Sequence, residues 1–254
     1  MNFNKILSTI IHEKEELMPV IALGGLTAGG GRIIGPKIAK KLNIDYVDKD
    51  IVKQAALQSG MDIELFTKKE ESPTTFGQTY IEKISNILEK SAFSGAVGDP
   101  HFGPGAAAFL THEFEDLTAD ENTEKYHLND EEYSQGIHET VLQLAELGSI
   151  VIVGRGANII LKDDPRVLRV GLIANEVDRI NRIANHEDVD YKTAKTLMIN
   201  RDAARSQFFK KFFDIEDPDN RFNYHAIINT SEMNFDLATD IIIDMSKDLR
   251  LDSP

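Results

Sequence analysis

The chain has 254 residues, of which 41% are hydrophobic, and this supports a substantial core in one α/β domain, with or without an insertion. Its 28 Lys and Arg residues stand against 42 Asp and Glu residues, and the net charge of −14 argues against nucleic-acid binding through a broad basic face. No apolar run is long enough to cross a bilayer, residues 1–18 lack the features of a secretory signal, and the chain has no cysteine. We therefore expect a cytoplasmic protein with neither a membrane nor a nucleic acid as partner.

The first part of the chain combines a short helix with a glycine-rich turn. Residues 1–18 predict an amphipathic helical extension, and we expect the main domain over residues 19–250. Val20 to Leu23 form an apolar run that predicts a strand and ends in a cluster of glycines. The apolar residues that follow at helical spacing are Ile33, Ile34, Ile38, Ala39 and Leu42. In such a unit the loop N–H groups and the helix N-terminus favour an anion such as phosphate. A glycine-rich turn that only packs the helix on the strand is the alternative.

The spacing of the glycines departs from two common phosphate-binding motifs. When the P-loop pattern G-x-x-x-x-G-K-[ST] is counted from Gly25, the lysine position holds Gly31 and the hydroxyl position holds Arg32. The dinucleotide pattern G-x-G-x-x-G fits from Gly29 only with one extra residue before Gly35. The loop as a whole therefore predicts phosphate binding, whereas an NAD-dependent enzyme is the least favoured interpretation.

The rest of the chain alternates apolar strands with amphipathic helices. Strands are predicted over residues 44–47, 150–153, 167–173 and 224–229. Helices are predicted over residues 51–59, 62–69, 78–91, 131–147, 175–186, 191–209 and 235–245, with a short helix ending at residue 162. This alternation predicts a three-layer α/β fold with a mostly parallel sheet. Four phenylalanines between Phe208 and Phe213 are expected to pack in the core rather than to form a binding platform.

Residues 94–129 differ in composition from the rest of the chain. They are first rich in glycine, alanine and proline and then acidic, which indicates a loop or an insertion within the domain. Three histidines lie here: His101, His112 and His127. Histidines near carboxylates can bind a metal ion, but tight ligand spacing is missing, so we expect solvated histidines and no metal site.

Arginines follow the later strands of the predicted sheet. Arg155 stands between two glycines directly after residues 150–153, where open parallel sheets bind ligands and a guanidinium can hold a phosphate bidentately. Pairing with a surface carboxylate is the alternative for this arginine. Arg179 and Arg182 share one face of a predicted helix, and Arg201 and Arg205 share a face of the next. Together with the glycine loop, this arrangement suits phosphoryl transfer, in which catalysis is mostly positioning and charge neutralisation.

Several short stretches of the sequence, taken together in chain order, resemble the motifs of a known family. They are G-G-G-R-I-I-G at 29–35 with K-K-L-N-I at 40–44, Y-V-D-K-D-I at 46–51, I-V-G-R-G-A-N at 152–158, R-I-N-R-I at 179–183 and I-I-N-T-S at 227–231. The set resembles the cytidylate kinase-like family of the P-loop nucleoside monophosphate kinase class, over about residues 19–245.

This resemblance implies a P-loop kinase-like fold with a helical lid, and transfer of phosphate from ATP, with Mg²⁺, to a pyrimidine nucleoside monophosphate such as CMP or dCMP. The residues implied to bind the donor are Gly25, Ala28, Gly29, Gly30, Gly31, Arg32, Ile33 and Arg179. Those implied to bind the acceptor are Asp48 and Arg155. Those implied to neutralise charge during transfer are Arg32, Arg182, Arg201 and Arg205, the last two on the lid. Nucleotides are thus the expected partners, and a homo-oligomer is left open.

The glycine loop departs from the family pattern at several positions. Ala28 and Gly29 stand where the family has glycine and serine, and Ile33 replaces a common glutamate. The loop has therefore lost hydroxyl and charged groups, while Arg32 is a candidate replacement for the missing lysine. The alternative function is a nucleotide-binding protein with little or no turnover, a pseudokinase that acts as a sensor or as a partner-binding module.

Overall fold

The computed structural model describes residues 19–48 and 130–247. Its helices and strands in these ranges are, in chain order, β1 (Val20–Gly25), α1 (Gly31–Leu42), β2 (Asp45–Val47), α2 (Asp130–Glu146), β3 (Ile150–Val153), α3 (Ala157–Ile160), β4 (Val167–Ile173), α4 (Glu176–Glu187), α5 (Tyr191–Phe213), β5 (Ala226–Asn229) and α6 (Phe235–Lys247). A 3₁₀ turn at Arg221–Asn223 precedes β5. The helices predicted over residues 1–18 and between residues 51 and 91, and the acidic insertion at 94–129 with its histidines, lie outside the described residues.

The strands of the described ranges form one parallel sheet in the order β2-β3-β1-β4-β5. Residues 20–23 of β1 and residues 150–152 of β3 are at most 1% exposed. Successive side chains of a strand point to opposite faces, so burial of every residue requires that both faces of the sheet are covered. The predicted three-layer α/β fold with a parallel sheet is therefore confirmed.

The helices fall into groups that contact different parts of the sheet. Helix α1 packs on α6 and on β1, β2 and β3, whereas α2 contacts α3 and α5. Helix α4 packs along α5 through a small apolar cluster of its own. The buried residues of this cluster are Ile180, Ile183, Ala194 and Met198. This cluster holds α4 and α5 together as a helical pair.

Helix α5 extends four residues beyond the predicted end at residue 209. The reason is aromatic packing, because Phe212 and Phe213 join the rings of Phe208 and Phe209, with ring centroids 5.1 to 5.7 Å apart. The expectation that these phenylalanines pack in the core is confirmed. Within residues 19–48 and 130–247, no helix is both long enough and apolar enough to span a membrane.

The strand order creates a crevice at the carboxyl ends of β1 and β3. The chain leaves β1 for β2 at one edge, returns to β3 beside β1, and then crosses to β4 on the other side of β1. Ligands of open parallel sheets bind where the direction of winding reverses in this way. Leu23 pairs with Val153, and the N–H of Gly154 donates to the carbonyl oxygen of Leu23 at 2.9 Å. The glycine loop and the segment that carries Arg155 therefore begin side by side.

Candidate functional site

The loop between β1 and α1, residues 26–30, packs closely on β4. The N–H of Leu26 donates to the carbonyl oxygen of Leu172 at 3.0 Å, and the N–H of Gly29 donates to that of Leu26 at 2.8 Å. A Cβ atom at Gly25 or at Gly29 would lie only 2.2 Å from the Leu172 carbonyl oxygen. These two glycines are therefore required by packing, which is the role considered as the alternative for this turn.

Three consecutive carbonyl groups of the loop are bound by side chains from outside it. Arg179 Nε, Arg182 Nη1 and Thr230 Oγ1 donate, in that order, to the carbonyl oxygens of residues 27–29, at 2.7, 3.0 and 2.7 Å. Two of these side chains belong to α4 and the third follows β5. We call Arg179, Arg182 and Thr230 the carbonyl clasp.

The clasp determines the direction of the loop N–H groups. Across a trans peptide the carbonyl and the following N–H point in opposite directions, so the N–H groups of Ala28 and Gly30 are directed away from the clasp. In the described part of the chain, no group accepts a hydrogen bond from the N–H of Ala28, Gly30 or Gly31. Gly30, with φ of 118°, has no side chain to cap α1, and the first turn of α1 carries no acidic residue. The loop and the helix N-terminus together can therefore receive an anion.

Arg182 is held by uncharged groups. Its Nη1 and Nη2 donate to the hydroxyl and carbonyl oxygens of Thr230 at 2.9 and 3.1 Å, and its guanidinium lies 4.9 Å from the centre of the Phe235 ring. Burial lowers the pKa of Arg182 below its ordinary range, while the charge of Asp178 opposes this shift. A lowered arginine pKa still leaves the side chain cationic at neutral pH. Its positive charge therefore stays close to the loop.

Arg179 is 7% exposed and links the loop to α5. Its Nη2 donates to Oδ2 of Asp202 at 2.5 Å, in addition to its contact with the loop carbonyl. The second carboxylate oxygen of Asp202 is buried without a hydrogen-bond partner among the described residues. The loop, α4 and α5 are thus connected through one arginine.

The two predicted lid arginines on α5 bind carboxylates. Arg205, 7% exposed, forms two hydrogen bonds of 2.8 Å to the carboxylate of Asp219 and lies 5.2 Å from the centre of the Phe209 ring. Arg201 is paired with Glu187 at the end of α4, and both side chains are 16% exposed. Both guanidinium groups are therefore engaged by carboxylates of the protein.

Arg155 lies at the end of β3 in an unusual backbone conformation. Gly154, Arg155 and Gly156 have φ of 78°, 58° and 69°, so three successive residues are left-handed. This costs about 1 kcal/mol for a residue other than glycine. A Cβ atom at Gly156 would lie 2.8 Å from the ring of Phe213, so the end of α5 packs directly against this turn. The arginine itself is 9% exposed.

Asp48 follows the carboxyl end of β2, next to the strand that leads to Arg155. Val47 of β2 pairs with Ile152 of β3. The carboxylate of Asp48 is 8% exposed and accepts a hydrogen bond of 2.6 Å from the hydroxyl of Tyr46. The two residues implied to bind the acceptor therefore come from adjacent strand ends.

Arg32 and Ile33 occupy the first turn of α1. Arg32 Nη1 donates to Nε2 of His186 at 2.9 Å, which ties this turn to the end of α4. Ile33 is 36% exposed. Ala28 packs its side chain against the cluster between α4 and α5. The residues predicted to bind the donor thus lie in or beside one loop, and several of them have a structural role.

Sequence reasoning did not single out three buried polar residues at this site. Tyr224 places its ring 3.0 Å from the position of a Cβ atom at Gly24, and its hydroxyl donates to the carbonyl oxygen of Pro218 at 3.1 Å. Burial raises its pKa, and the nearby charge of Arg205 opposes the shift. Asn158, 3% exposed, places Oδ1 near the same glycine, and its Nδ2 has no hydrogen-bond partner among the described residues.

The third missed residue is Thr230. It appeared in the sequence only as part of a short motif, with nothing to connect it with the glycine loop. Its partners Gly29 and Arg182 are 201 and 48 residues away in the chain. The spacing of residues close together in the sequence therefore could not predict these contacts.

Comparisons with known proteins point to one family. The model of the cytidylate kinase-like family matches residues 20–232. A cytidylate kinase of Methanococcus aeolicus is 32% identical over 226 residues, which are 88% of this chain and 94% of that protein. A cytidylate kinase of Methanocaldococcus jannaschii is 23% identical over the same shares. The solved structure of an uncharacterised protein from Eubacterium ventriosum has a TM-score of 0.53 and 22% identity, covering 90% of this chain and 98% of that one.

Proposed function

The chain belongs to the cytidylate kinase-like family, and from this premise we propose that it transfers the γ-phosphoryl group of ATP to a pyrimidine nucleoside monophosphate, CMP or dCMP. The observation that carries the proposal is the pair of adjacent strand ends at the crevice. β1 leads into the glycine loop, whose N–H groups point away from the carbonyl clasp, and β3 leads to the buried Arg155. The similarity to two archaeal cytidylate kinases supports the acceptor class.

The donor side of the proposed site is the glycine loop. The N–H groups of Ala28, Gly30 and Gly31, with the N-terminus of α1, bind the β- and γ-phosphates of the nucleotide. Arg32 stands next to this N-terminus and contributes a positive charge in place of the P-loop lysine. Arg182 adds a second positive charge, since its partners are neutral.

The acceptor side is the edge formed by β2 and β3. Arg155 binds the monophosphate through its guanidinium, which can donate two parallel hydrogen bonds to phosphate oxygens. Asp48 accepts a hydrogen bond from the sugar or base. Because the glycine loop and Arg155 leave neighbouring strands, the donor and acceptor phosphates are brought to one crevice.

Charge neutralisation during transfer is assigned to arginines. Arg201 and Arg205 lie on α5, in the helical pair that would act as a lid, and they reach the phosphates by releasing Glu187 and Asp219. Mg²⁺, when bound with the nucleotide, would supply further positive charge to the donor phosphates. In the described ranges no group of three His, Cys, Asp or Glu side chains could hold a metal ion. Mg²⁺ is commonly held by one or two carboxylates together with phosphate oxygens and water, so a larger cluster of side chains is not required.

A second candidate function is nucleotide binding without useful turnover. The observation that favours it is the engagement of the arginines, since Arg179, Arg201 and Arg205 are all paired with carboxylates of the protein. The P-loop lysine and hydroxyl positions also hold Gly31 and Arg32. In this case the protein acts as a nucleotide sensor whose α4–α5 pair responds to the ligand.

A phosphoryl-transfer assay distinguishes the two functions. ATP, Mg²⁺ and a panel of nucleoside monophosphates are incubated with the wild type, with Arg155→Ala and with the control Arg166→Ala. Arg166 also binds a carboxylate bidentately, that of Asp164, although its side chain is 41% exposed. It precedes β4 and therefore lies at the end of the sheet opposite to the crevice. We expect turnover with CMP or dCMP that falls about 100-fold in Arg155→Ala, by loss of a guanidinium that holds phosphate, and is unchanged in the control.

Other outcomes decide between the alternatives. Measurable ATP binding without turnover for any monophosphate supports the sensor. Turnover that survives Arg155→Ala shows that the acceptor phosphate is held elsewhere. Absence of nucleotide binding means that the glycine loop serves only to pack α1 on the sheet.

A further inference from the structure

We propose that Thr230 is a positioning residue that sets the shape of the glycine loop and thereby the affinity for the triphosphate of a nucleotide. The loop geometry follows from contacts within the protein, whereas the effect on affinity rests on the proposed function. Thr230 is 6% exposed and follows β5, outside both the loop and the arginine-bearing helices.

The hydroxyl of Thr230 makes hydrogen bonds to two neighbours, as a donor to one and as an acceptor from the other. It has one proton, which it donates to the carbonyl oxygen of Gly29 at 2.7 Å, whereas the carbonyl oxygen of Ile173 is further away at 3.1 Å. A lone pair accepts the proton of Arg182 Nη1 at 2.9 Å. The hydroxyl therefore links the loop with α4 through a short chain of hydrogen bonds, in which each bond polarises the next.

The backbone of Thr230 makes this link rigid. Its N–H donates to the carbonyl oxygen of Ile173 at 2.8 Å, which extends the pairing of β4 with β5 by one residue. Its carbonyl oxygen accepts from Arg182 Nη2 at 3.1 Å. A residue fixed by its backbone on both sides can hold the Gly29 carbonyl in one orientation.

This role matters because the loop has few side chains of its own that could fix its conformation. In a P-loop a lysine and a hydroxyl follow the glycines, and here Gly31 and Arg32 take those positions. The orientation of the Gly29 carbonyl also sets the direction of the Gly30 N–H, since both belong to one peptide plane. Thr230 therefore directs an N–H group that the proposed function uses for phosphate, without touching the phosphate itself.

Two substitutions separate the hydroxyl from the methyl group. Thr230→Val keeps the shape and removes the hydroxyl, so the Gly29 carbonyl and one donor of Arg182 lose their partner. Thr230→Ser keeps the hydroxyl and removes the methyl group, which lies 3.4 Å from the position of a Cβ atom at Gly30. Thr239→Val is the matched control, because Thr239 is a fully buried threonine whose hydroxyl donates to the Phe235 carbonyl at 2.6 Å inside α6.

The first measurement is amide hydrogen exchange in the protein without nucleotide. The reporters are the N–H groups of Gly29 and Leu26, which are hydrogen-bonded within the loop and to β4, with the strand amide of Ile21 as reference. We expect about tenfold faster exchange of the reporters in Thr230→Val, and unchanged exchange of the reference. Thr230→Ser and Thr239→Val should leave the reporters unchanged. Unchanged reporter exchange in Thr230→Val would overturn the proposal.

The second measurement is calorimetric binding of a non-hydrolysable ATP analogue to the same variants. We expect about tenfold weaker binding in Thr230→Val, with recovery in Thr230→Ser. Equal affinity in Thr230→Val and in the wild type would refute the effect on the nucleotide. If the wild type itself binds no analogue, the proposed function fails, whereas the exchange measurement still decides whether Thr230 shapes the loop.

Discussion

Arg182 and Arg205 are both arginines on helices near the crevice, but they have partners of opposite kind. Arg182 donates to a loop carbonyl and to Thr230, and these partners carry no net charge. Arg205 donates twice to the carboxylate of Asp219. The first arginine is therefore held in place with its charge intact, whereas the charge of the second is neutralised by its partner.

This difference separates two contributions to a phosphate site. An arginine bound to carbonyl groups can shape the backbone and attract an anion at the same time, because a dipole does not cancel a charge. An arginine bound to a carboxylate must give up a strong bidentate pair before it can bind phosphate, and the net gain is small. Under the proposed function, the loop side would be organised before the nucleotide binds, whereas the α5 side would depend on an exchange of partners.

The largest expected effect comes from Arg182. Arg182→Met removes both the charge and the clasp, and we expect about a 100-fold loss of kcat/KM. Arg182→Lys keeps the charge but has one nitrogen where the guanidinium uses two, so it cannot reproduce the fork-shaped set of bonds to Ala28 and Thr230. We expect about a tenfold rise in KM for ATP with a smaller change in kcat. Steady-state kinetics with varied ATP measures both quantities.

Arg166→Ala is the control for the loss of an arginine on the opposite side of the fold, and it should behave as the wild type. The interpretation of Arg182 as both clasp and charge is contradicted if lysine and methionine variants lose the same amount. Equal losses would mean that only the bridging geometry matters.

The strands and helices over residues 19–48 and 130–247 were predictable, but the partners of the arginines were not. Apolar runs such as residues 150–153 identify central strands because both of their faces are buried. The arginines could be located by their spacing, since residues three or four apart share a helix face. Whether Arg182 binds a carbonyl or Arg205 binds a carboxylate depends on residues brought together only by the fold.

The glycines illustrate the same limit within one motif. A cluster of glycines indicates that the backbone approaches something closely, but it does not say what. For Gly25 and Gly29 the neighbour is the carbonyl oxygen of Leu172 on β4. For Gly30 it is the ring of Phe235, whose Cε1 lies 3.1 Å from the position of a Cβ atom. Conformational freedom and a packing role could both be inferred from the sequence, whereas the atoms that the glycines pack against were visible only after folding.

A smaller effect is expected when the carboxylate of the second arginine is neutralised. Asp219→Asn leaves Arg205 without an anionic partner, so the free energy of unfolding should fall by about 1 to 3 kcal/mol. At the same time the freed guanidinium should strengthen binding of an ATP analogue about threefold, because it no longer has to release a carboxylate. Urea unfolding and calorimetry measure the two changes.

Asp164→Asn is the matched control, since Asp164 binds Arg166 in the same bidentate manner away from the crevice. It should lower stability without changing the affinity for the nucleotide. Weaker nucleotide binding in Asp219→Asn would show that the pair of Arg205 and Asp219 stabilises α5, and that Arg205 does not bind phosphate after release from Asp219. Arg205 would then differ from Arg182 in having only a structural role.

The smallest expected effect concerns Tyr224, which lies beside Arg205. Tyr224→Phe removes the hydrogen bond to the Pro218 carbonyl and should lower the free energy of unfolding by about 1 kcal/mol near neutral pH. Burial raises the pKa of Tyr224 above its ordinary 10.0, so the unfolded chain loses this proton before the folded protein does. The wild type therefore loses stability as the pH rises above 10.0, whereas the variant lacks this contribution.

The difference in stability between the wild type and Tyr224→Phe should accordingly be constant below the ordinary tyrosine pKa and shrink above it. Urea unfolding from about pH 8 to about pH 11 measures this difference, and a difference titration of tyrosinate absorbance locates the pKa itself. A gap that widens with pH would mean that the tyrosinate is stabilised in the folded protein. In that case the positive charge of Arg205 outweighs burial despite its pairing with Asp219, and the charge of the second arginine is less neutralised than its geometry indicates.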